Sequence, residues 1–334
     1  MNSIELKEQL AQVIEADLKL SVMIWGAPGI GKSSIVKQVA NENEMEFIDL
    51  RLSQLSPTDL RGLPVPKNNQ MGWLAPDFLP TKGKGILFLD EINLAPPAIQ
   101  GIAQQLVLDR RIGNYDFPDG WYIWAAGNRK EDRASVFDMP APLANRFVHF
   151  EVNPDFASFR KWALQNGIDE KIISFLAFRP SLMHQPTSGT HAWPSCRTWE
   201  MANQLQQAGL SIESAVGEGA AQEYLAYINI YKKLPNLEKI LEGQGSKIKY
   251  PKEASVRFAS TIGLSLRAKT HEQILNAFTW LMEKGGPEWV QLFLCSIVDQ
   301  AQANGHIGMI ATAIRQDSRM KDFLSEYREL DQAA

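Results

Sequence analysis

Apolar residues follow two different rhythms in the two halves of this chain. Between Ser21 and Val152 they come in short, nearly continuous runs: Val22 to Trp25, Glu46 to Leu52, Ile86 to Leu89, Trp121 to Ala126 and Phe147 to Val152. Stretches with helix-like spacing separate these runs, among them Ser34 to Ala40. Runs of this kind suit strands buried on both faces, and their alternation with helices predicts a parallel sheet covered by helices. After Asn153-Pro154 the strand signal stops. Apolar positions then recur every three or four residues in Phe156 to Ala163, Ile172 to Phe178, Trp199 to Leu205, Ala220 to Tyr231, Ala254 to Leu266, His271 to Lys284 and Trp289 to Ala301, which predicts an all-helical second half. Leu234-Pro235-Asn236 and Gly243-Gln244-Gly245-Ser246 interrupt that half. The expected organisation is therefore an α/β core over residues 1–152, a helical lid over 153–235 and a helical C-terminal extension over 236–334, with Asp331 to Ala334 frayed.

Composition narrows the class. With 334 residues, 45% of them hydrophobic, the chain can bury a core of ordinary size. Met1 to Leu20 scatters Glu5, Lys7, Glu8, Glu15, Asp17 and Lys19 among its apolar residues. That pattern predicts a helix and lacks the basic-then-apolar order of a signal peptide. No apolar run approaches the ~20 residues of a membrane span. Cys196 and Cys295 are too few for a disulfide framework and the five histidines show no zinc-ligand spacing, so a reducing, cytoplasmic setting is expected. A net charge of -4, from 34 basic and 38 acidic residues with no long block of either sign, argues against a broad nucleic-acid footprint. Only a basic surface assembled by oligomerisation escapes that argument.

The strongest chemical signal is Gly26-Ala27-Pro28-Gly29-Ile30-Gly31-Lys32-Ser33, which fits the phosphate-binding pattern Gly-x-x-x-x-Gly-Lys-Ser/Thr at each fixed position. It lies between an expected strand and an expected helix, where the mechanism requires it. The glycines let backbone N–H groups turn inward, Lys32 reaches the β and γ phosphates, and the Ser33 hydroxyl can coordinate Mg²⁺. Residues Gly26 to Ser34 are accordingly the expected nucleoside triphosphate site. A second element, Gly85-Ile86-Leu87-Phe88-Leu89-Asp90-Glu91, ends an apolar strand in two carboxylates. A turn after Leu89 can direct Asp90 to the Mg²⁺ shell and Glu91 to the attacking water as general base. Alone, such a pair is more often a helix N-cap; an upstream phosphate loop reverses the odds. Gly127-Asn128-Arg129 opens a loop after the strand Trp121 to Ala126, and Asn128 either holds the water or γ-phosphate or is a turn asparagine.

These residues, in this order, resemble the AAA+ ATPases, in particular the helix-2-insert branch that holds the MoxR-like proteins and their dynein-related and magnesium-chelatase relatives. The resemblance covers roughly residues 20 to 235 and implies ATP as nucleotide. In that family the Asn of Ala-Gly-Asn is the first sensor, here Asn128. The family's arginine finger ends a short helix before the last strand, a place filled by Arg146 in Pro142-Leu143-Ala144-Asn145-Arg146-Phe147; Arg129 and Arg133 are the rivals, and a surface ion pair is the bland alternative. Such a finger enters the neighbouring subunit's site, so the resemblance implies a ring, commonly a hexamer. Arg197, in Trp193-Pro194-Ser195-Cys196-Arg197-Thr198-Trp199-Glu200, matches the second sensor in the lid. Cys196 replaces a proline usual in the family and is read as a packing variant, with a reactive thiol as the minor alternative.

Two insertions also match the branch. Asp59 to Pro66 with Met71 to Pro80, rich in proline and glycine, cannot form one long helix and resembles the helix-2 insert. Met71, Trp73 and Phe78 in it either face a ring's opening or pack the loop onto its own domain. Arg110-Arg111-Ile112-Gly113-Asn114-Tyr115-Asp116-Phe117-Pro118 alternates around Gly-Asn and predicts a hairpin, the pre-sensor-1 hairpin of the branch. Its two arginines, beside Asp109 and Asp116, are expected to be solvated or subunit-facing, with a grip on DNA as the alternative. The expected function is a ring-forming, MoxR-like AAA+ ATPase that remodels or activates a protein partner, with an adaptor bearing a von Willebrand A-type domain implied by the resemblance. A nucleic-acid motor or restriction subunit and a nucleotide-gated scaffold are the alternatives.

Overall fold

The computed structural model describes residues 1–323 apart from 68–69, 133–136, 188 and 305–306, so the rival Arg133 and the terminal segment 331–334 lie outside the described residues. The chain divides into two compact units, Met1–Asp155 and Phe156–Ala334.

The first unit opens with α1 (Ser3–Glu15), whose start is fixed by a capping box: the Asn2 side chain accepts from Glu5 N–H and the Glu5 carboxylate accepts from Asn2 N–H. Then come β1 (Val22–Gly26), α2 (Lys32–Glu42), β2 (Glu46–Arg51), α3 (Pro57–Arg61), the hairpin strands β3 (Leu63–Lys67) and β4 (Gln70–Leu74), β5 (Gly85–Asp90), α4 (Pro97–Asp109), the short hairpin β6 (Arg111–Ile112) and β7 (Tyr115–Asp116), β8 (Trp121–Gly127), α5 (Ala141–Ala144) and β9 (Val148–Val152). The five expected strands form one parallel sheet in the order β2-β5-β8-β1-β9.

Period-2 alternation divides the sheet's side chains between two cores. Val22, Ile24, Ile86, Phe88, Tyr122, Trp124 and Ala126 face a cluster completed by Leu6 and Leu10 of α1 and Val36, Val39 and Ala40 of α2. Met23, Leu87, Leu89, Trp121, Ile123 and Ala125 face the other, completed by Ile99, Ala103 and Leu106 of α4 and by Leu143 of α5. The result is the expected arrangement of helix, sheet and helix layers. Not every strand is buried on both faces, however. Glu46, Asp49 and Arg51 of β2, and Val148, His149 and Glu151 of β9, are exposed, because these two strands form the sheet's edges. An apolar run in sequence does not separate an edge strand from a central one.

The Phe156–Ala334 unit is helical throughout its described residues: α6 (Phe156–Gln165), α7 (Glu170–Phe178), α8 (Cys196–Gln207), α9 (Glu213–Val216), α10 (Glu218–Tyr231), α11 (Leu237–Lys239), α12 (Ala254–Arg267), α13 (His271–Lys284), α14 (Pro287–Asn304) and α15 (Ile307–Gln316). Phe175, Trp199, Tyr224 and Tyr227 centre one apolar cluster, and Phe278, Trp280, Leu281 and Phe293 centre another. Arg267 ties α12 to α7 and α11, pairing with Glu170 at 2.5 Å and Glu238 at 3.1 Å. No helix among the described residues is long and apolar enough to cross a membrane.

Central packing of the sheet leaves no room beside Gly85. A Cβ there would meet the Trp121 ring at 2.6 Å and the Glu46 carbonyl oxygen at 2.7 Å. Gly85→Ala is therefore expected to destabilise the fold by about 1–3 kcal/mol, as overpacked cores do, which urea unfolding would measure.

Candidate functional site

Strand order decides where the polar groups meet. β1 lies between β8 and β9, the place where connections from the sheet diverge to its two edges, and such a reversal opens a crevice at the strands' carboxyl ends. Trp25 pairs in register with Gly127, and Leu89 with Ala125, so the phosphate loop, the Asp90-Glu91 turn and the Asn128 loop all leave the same edge of the sheet side by side.

The phosphate loop is shaped by close approach and by handedness. A Cβ at Gly26 would meet Val152 O and the Ile30 Cδ1 atom, each at 2.7 Å. Gly31 caps α2 with φ of 92°, a left-handed conformation that only glycine adopts without strain, and offers no side chain to the helix. The first-turn N–H groups of α2 thus stay available to an anion. The helix begins at Lys32, two residues before the expected start, which places Ser33 and Ser34 in its first turn. Ala27, Pro28, Gly29 and Ile30 form the arch between, with Gly29 also at positive φ. Lys32, only 8% exposed, donates to Gly26 O at 2.8 Å, to Ala27 O at 3.0 Å and to Asn128 Oδ1 at 3.0 Å. Two of the expected site elements are therefore joined directly, and the Asn128 side chain is oriented toward Lys32.

β5 continues through Asp90, one residue past the expected turn, and breaks at Glu91, whose φ is 56°. A left-handed glutamate is costly, and here it swings the carboxylate out of the strand's alternation. Burial pushes the half-buried Asp90 carboxyl above the usual carboxylate range, with the charges of Asp49 and Glu91 acting in the same direction; the Glu91 N–H, 2.9 Å from Asp90 Oδ1, and Lys32 oppose the shift. Glu91 accepts from the Ser53 hydroxyl at 2.5 Å. Ser53 lies in the 3₁₀ turn Leu52–Gln54 after β2, and sequence reasoning missed it because a serine after an edge strand carries no motif.

A divalent ion fits this set. No group of three or more His, Cys, Asp or Glu side chains able to hold a metal occurs among the described residues, so an ion here would take few protein ligands. The Ser33 hydroxyl and the Asp90 carboxylate are oxygen donors of the kind Mg²⁺ prefers when phosphates supply further ligands.

The arginines separate clearly. Arg129 is engaged inside its own unit, with Asp132 at 2.9 Å, Glu151 at 2.8 Å and Asn153 Oδ1 at 2.8 Å, and these partners raise its pKa. Arg146 follows α5, is exposed, and has no side-chain partner among the described residues. The segment before it is anchored: Trp25 Nε1–H donates to His149 Nδ1 at 2.8 Å, leaving His149 Nε2–H to donate to Ala144 O at 2.8 Å. In the helical unit, Arg197 is exposed in the first turn of α8, also without a side-chain partner among the described residues. Ser195 caps that helix, its Oγ accepting from Thr198 N–H at 3.2 Å. Burial pushes the Cys196 thiol up to about 12, so it stays protonated at neutral pH and the packing reading stands over the reactive one.

The insertions resolve unevenly. Phe78 packs on the core, Trp73 lies under the Arg61 guanidinium at 4.5 Å, and Met71 is 72% exposed at the hairpin β3–β4. The β6–β7 hairpin forms as expected, but Arg110 is half-buried and engaged. Its guanidinium donates to Pro118 O and Trp121 O, each at 2.8 Å, which fastens the hairpin to β8.

Residues 22–114 match the model of the family described as ATPase family associated with various cellular activities (AAA). Among solved structures, the chain is similar to NtrX from Brucella abortus in complex with ADP, at 14% identity and a TM-score of 0.42, over 96% of this chain and 68% of that one. The ATP complex of the same protein matches at 13% identity and 0.42 over the same shares. The Thermotoga maritima RuvB Holliday junction branch migration motor matches at 14% identity and 0.36, over 87% of this chain and 81% of that one. The matched residues carry the phosphate loop and the strand-end carboxylates.

Asp90 yields a direct test. Its ionised form is disfavoured in the folded, nucleotide-free protein, so that cost is present at pH values above its raised pKa and disappears below the unfolded value. At neutral pH, Asp90→Asn is expected to raise the melting temperature without nucleotide and to abolish the further rise that Mg²⁺ with ATP gives the wild type. A melting temperature below wild type in the nucleotide-free state would contradict this.

Proposed function

We propose that this protein hydrolyses ATP with Mg²⁺ in a site completed by a second copy of the chain, and that the hydrolysis cycle remodels or activates a protein partner in the manner of MoxR-like ATPases. The observation that carries the reading is the Lys32 ammonium held by Gly26 O, Ala27 O and Asn128 Oδ1 beside the Asp90-Glu91 turn. A triphosphate entering the loop offers Lys32 stronger, charged acceptors in place of the two carbonyls and keeps it next to Asn128. Residues Gly26 to Ser34 then hold the phosphates, Ser33 and Asp90 hold Mg²⁺, Glu91 accepts the proton of the attacking water, and Asn128 orients the water or the γ-phosphate. A Mg²⁺ ion held by Ser33 and Asp90 would supply positive charge against the phosphates.

The Ser53 hydroxyl donates to one Glu91 oxygen, which leaves the second oxygen of the carboxylate to serve as the base. Arg146 is the better finger candidate because it is exposed and has no side-chain partner among the described residues, whereas Arg129 is spent on Asp132, Glu151 and Asn153. An unpaired arginine in the first turn of a helix faces the positive end of the dipole, an arrangement that favours an anionic partner for Arg197. We assign residues 153–235 to a lid that carries Arg197 and residues 236–334 to an extension. Loss of the γ-phosphate would release Arg197, Asn128 and the neighbour's Arg146 together, the order-and-release logic of nucleotide switches. A ring, with six subunits as the family's common number, follows from the lent arginine, and an adaptor with a von Willebrand A-type domain is the first partner to seek. Gripping of DNA by the β6–β7 hairpin has less support, since Arg110 is turned onto backbone carbonyls.

Phosphate release by the wild type and two variants tests the reading. Glu91→Gln is expected to bind ATP with near wild-type affinity and to lose about 10²–10⁴ in turnover. Arg146→Ala is expected to lose about 10³ or more, while turnover by the wild type falls as the protein is diluted below its assembly concentration. Wild-type turnover by Arg146→Ala, or full turnover by a strict monomer, would rule out the shared site.

A further inference from the structure

One buried polar side chain beside the site has no part in the chemistry above. Asn93 is 3% exposed in the otherwise apolar turn Ile92-Asn93-Leu94-Ala95 that follows Glu91. A buried amide needs partners for both ends, and Asn93 finds them on a single residue. Its Nδ2–H donates to Asn128 O at 2.7 Å and its Oδ1 accepts from Asn128 N–H at 3.2 Å. The Asn93 carbonyl accepts from Phe137 N–H at 2.7 Å, and the adjacent Ile92 N–H donates to Ala126 O at 3.0 Å. Close fit makes the clamp possible: a Cβ on Gly127 would fall 2.6 Å from Asn93 Oδ1 and 2.7 Å from the Met23 Cε atom.

We propose that Asn93 is the positioning residue of the Asn128 loop. It takes up both backbone hydrogen-bonding groups of Asn128, so that residue's side chain is left to face Lys32, 3.0 Å away. It also fastens the loop to the turn that carries Glu91, two residues upstream, and so fixes the spacing between the group that orients the reactants and the group that takes the proton. The inference rests on the reading of Asn128 given under Proposed function. Without the clamp, Asn128 N–H and C=O lose buried partners and the loop relaxes; a misplacement of about 1 Å at a reacting centre costs roughly 10²-fold in rate. Nucleotide affinity depends chiefly on the phosphate loop and changes little.

Four full-length proteins test this: wild type, Asn93→Ala, Asn128→Ala and the double variant, each measured for kcat, KM and ATP affinity. Asn93→Ala is expected to lower kcat by about tenfold or more with KM and affinity within about threefold of wild type. In the Asn128→Ala background the same substitution is expected to cost nothing further, because its effect passes through Asn128. Gly127→Ala, which pushes the amide off the loop by a different route, is expected to reproduce the kcat loss and serves if Asn93→Ala does not fold. Wild-type kcat for Asn93→Ala, or losses that multiply in the double variant, would overturn the proposal. Wild-type kcat for Asn128→Ala would instead remove Asn128 from the reaction and overturn the reading beneath it.

Discussion

A lysine ammonium buried to 8% exposure is tolerable only if oxygen atoms surround it, and the α/β unit is arranged around that requirement. Lys32 can reach Gly26 O, Ala27 O and Asn128 Oδ1 because two neighbouring parallel strands, β1 and β8, end on one side of the sheet. The two carbonyls are weak, exchangeable ligands. A charged phosphate is a stronger one, so the geometry around Lys32 already contains the contacts that a bound nucleotide would replace.

From that point the remaining features follow as supports. The fully buried side chains of Trp121, Trp124, Phe88 and Met23 keep β1, β5 and β8 in register, and register decides that Asp90, Gly26 and Asn128 emerge together. Glu91 bears a left-handed backbone that a glutamate adopts only under constraint, and the constraint comes from its neighbours on both sides: Asp90 accepts the Glu91 N–H, and Leu94 N–H donates to Glu91 O. Arg110, which looks like a surface charge in sequence, acts as a fastener between the β6–β7 hairpin and β8.

Much of this was legible in the residues alone, for definite reasons. A phosphate loop needs glycine where the backbone turns left-handed or touches a neighbour, so Gly26 and Gly31 announce it; continuous apolar runs announce parallel strands; helical periodicity announces the second half. Exposure of β2 and β9 was not legible, since an edge strand and a central strand can share one composition. Ser53 and Asn93 were missed because each acts through a contact between distant segments, Ser53 with Glu91 and Asn93 with Asn128. A signal for Asn93 was present nonetheless: a lone amide within Ile92-Asn93-Leu94-Ala95 has to find hydrogen-bonding partners if that turn is buried. The inward turn of Arg110 had no such signal, because an arginine beside aspartates reads as solvated.

The central claim is that Lys32 exchanges backbone oxygens for the phosphates of a nucleotide. Titration calorimetry of ATP into the wild-type protein and into Lys32→Ala, in the presence of Mg²⁺, tests it most directly. Saturable binding by the wild type is expected, with a loss of about 10²-fold or more in affinity for the variant, on the scale of a charge-assisted contact removed from a buried site. Equal affinity in the two proteins, or no binding by either, would contradict it.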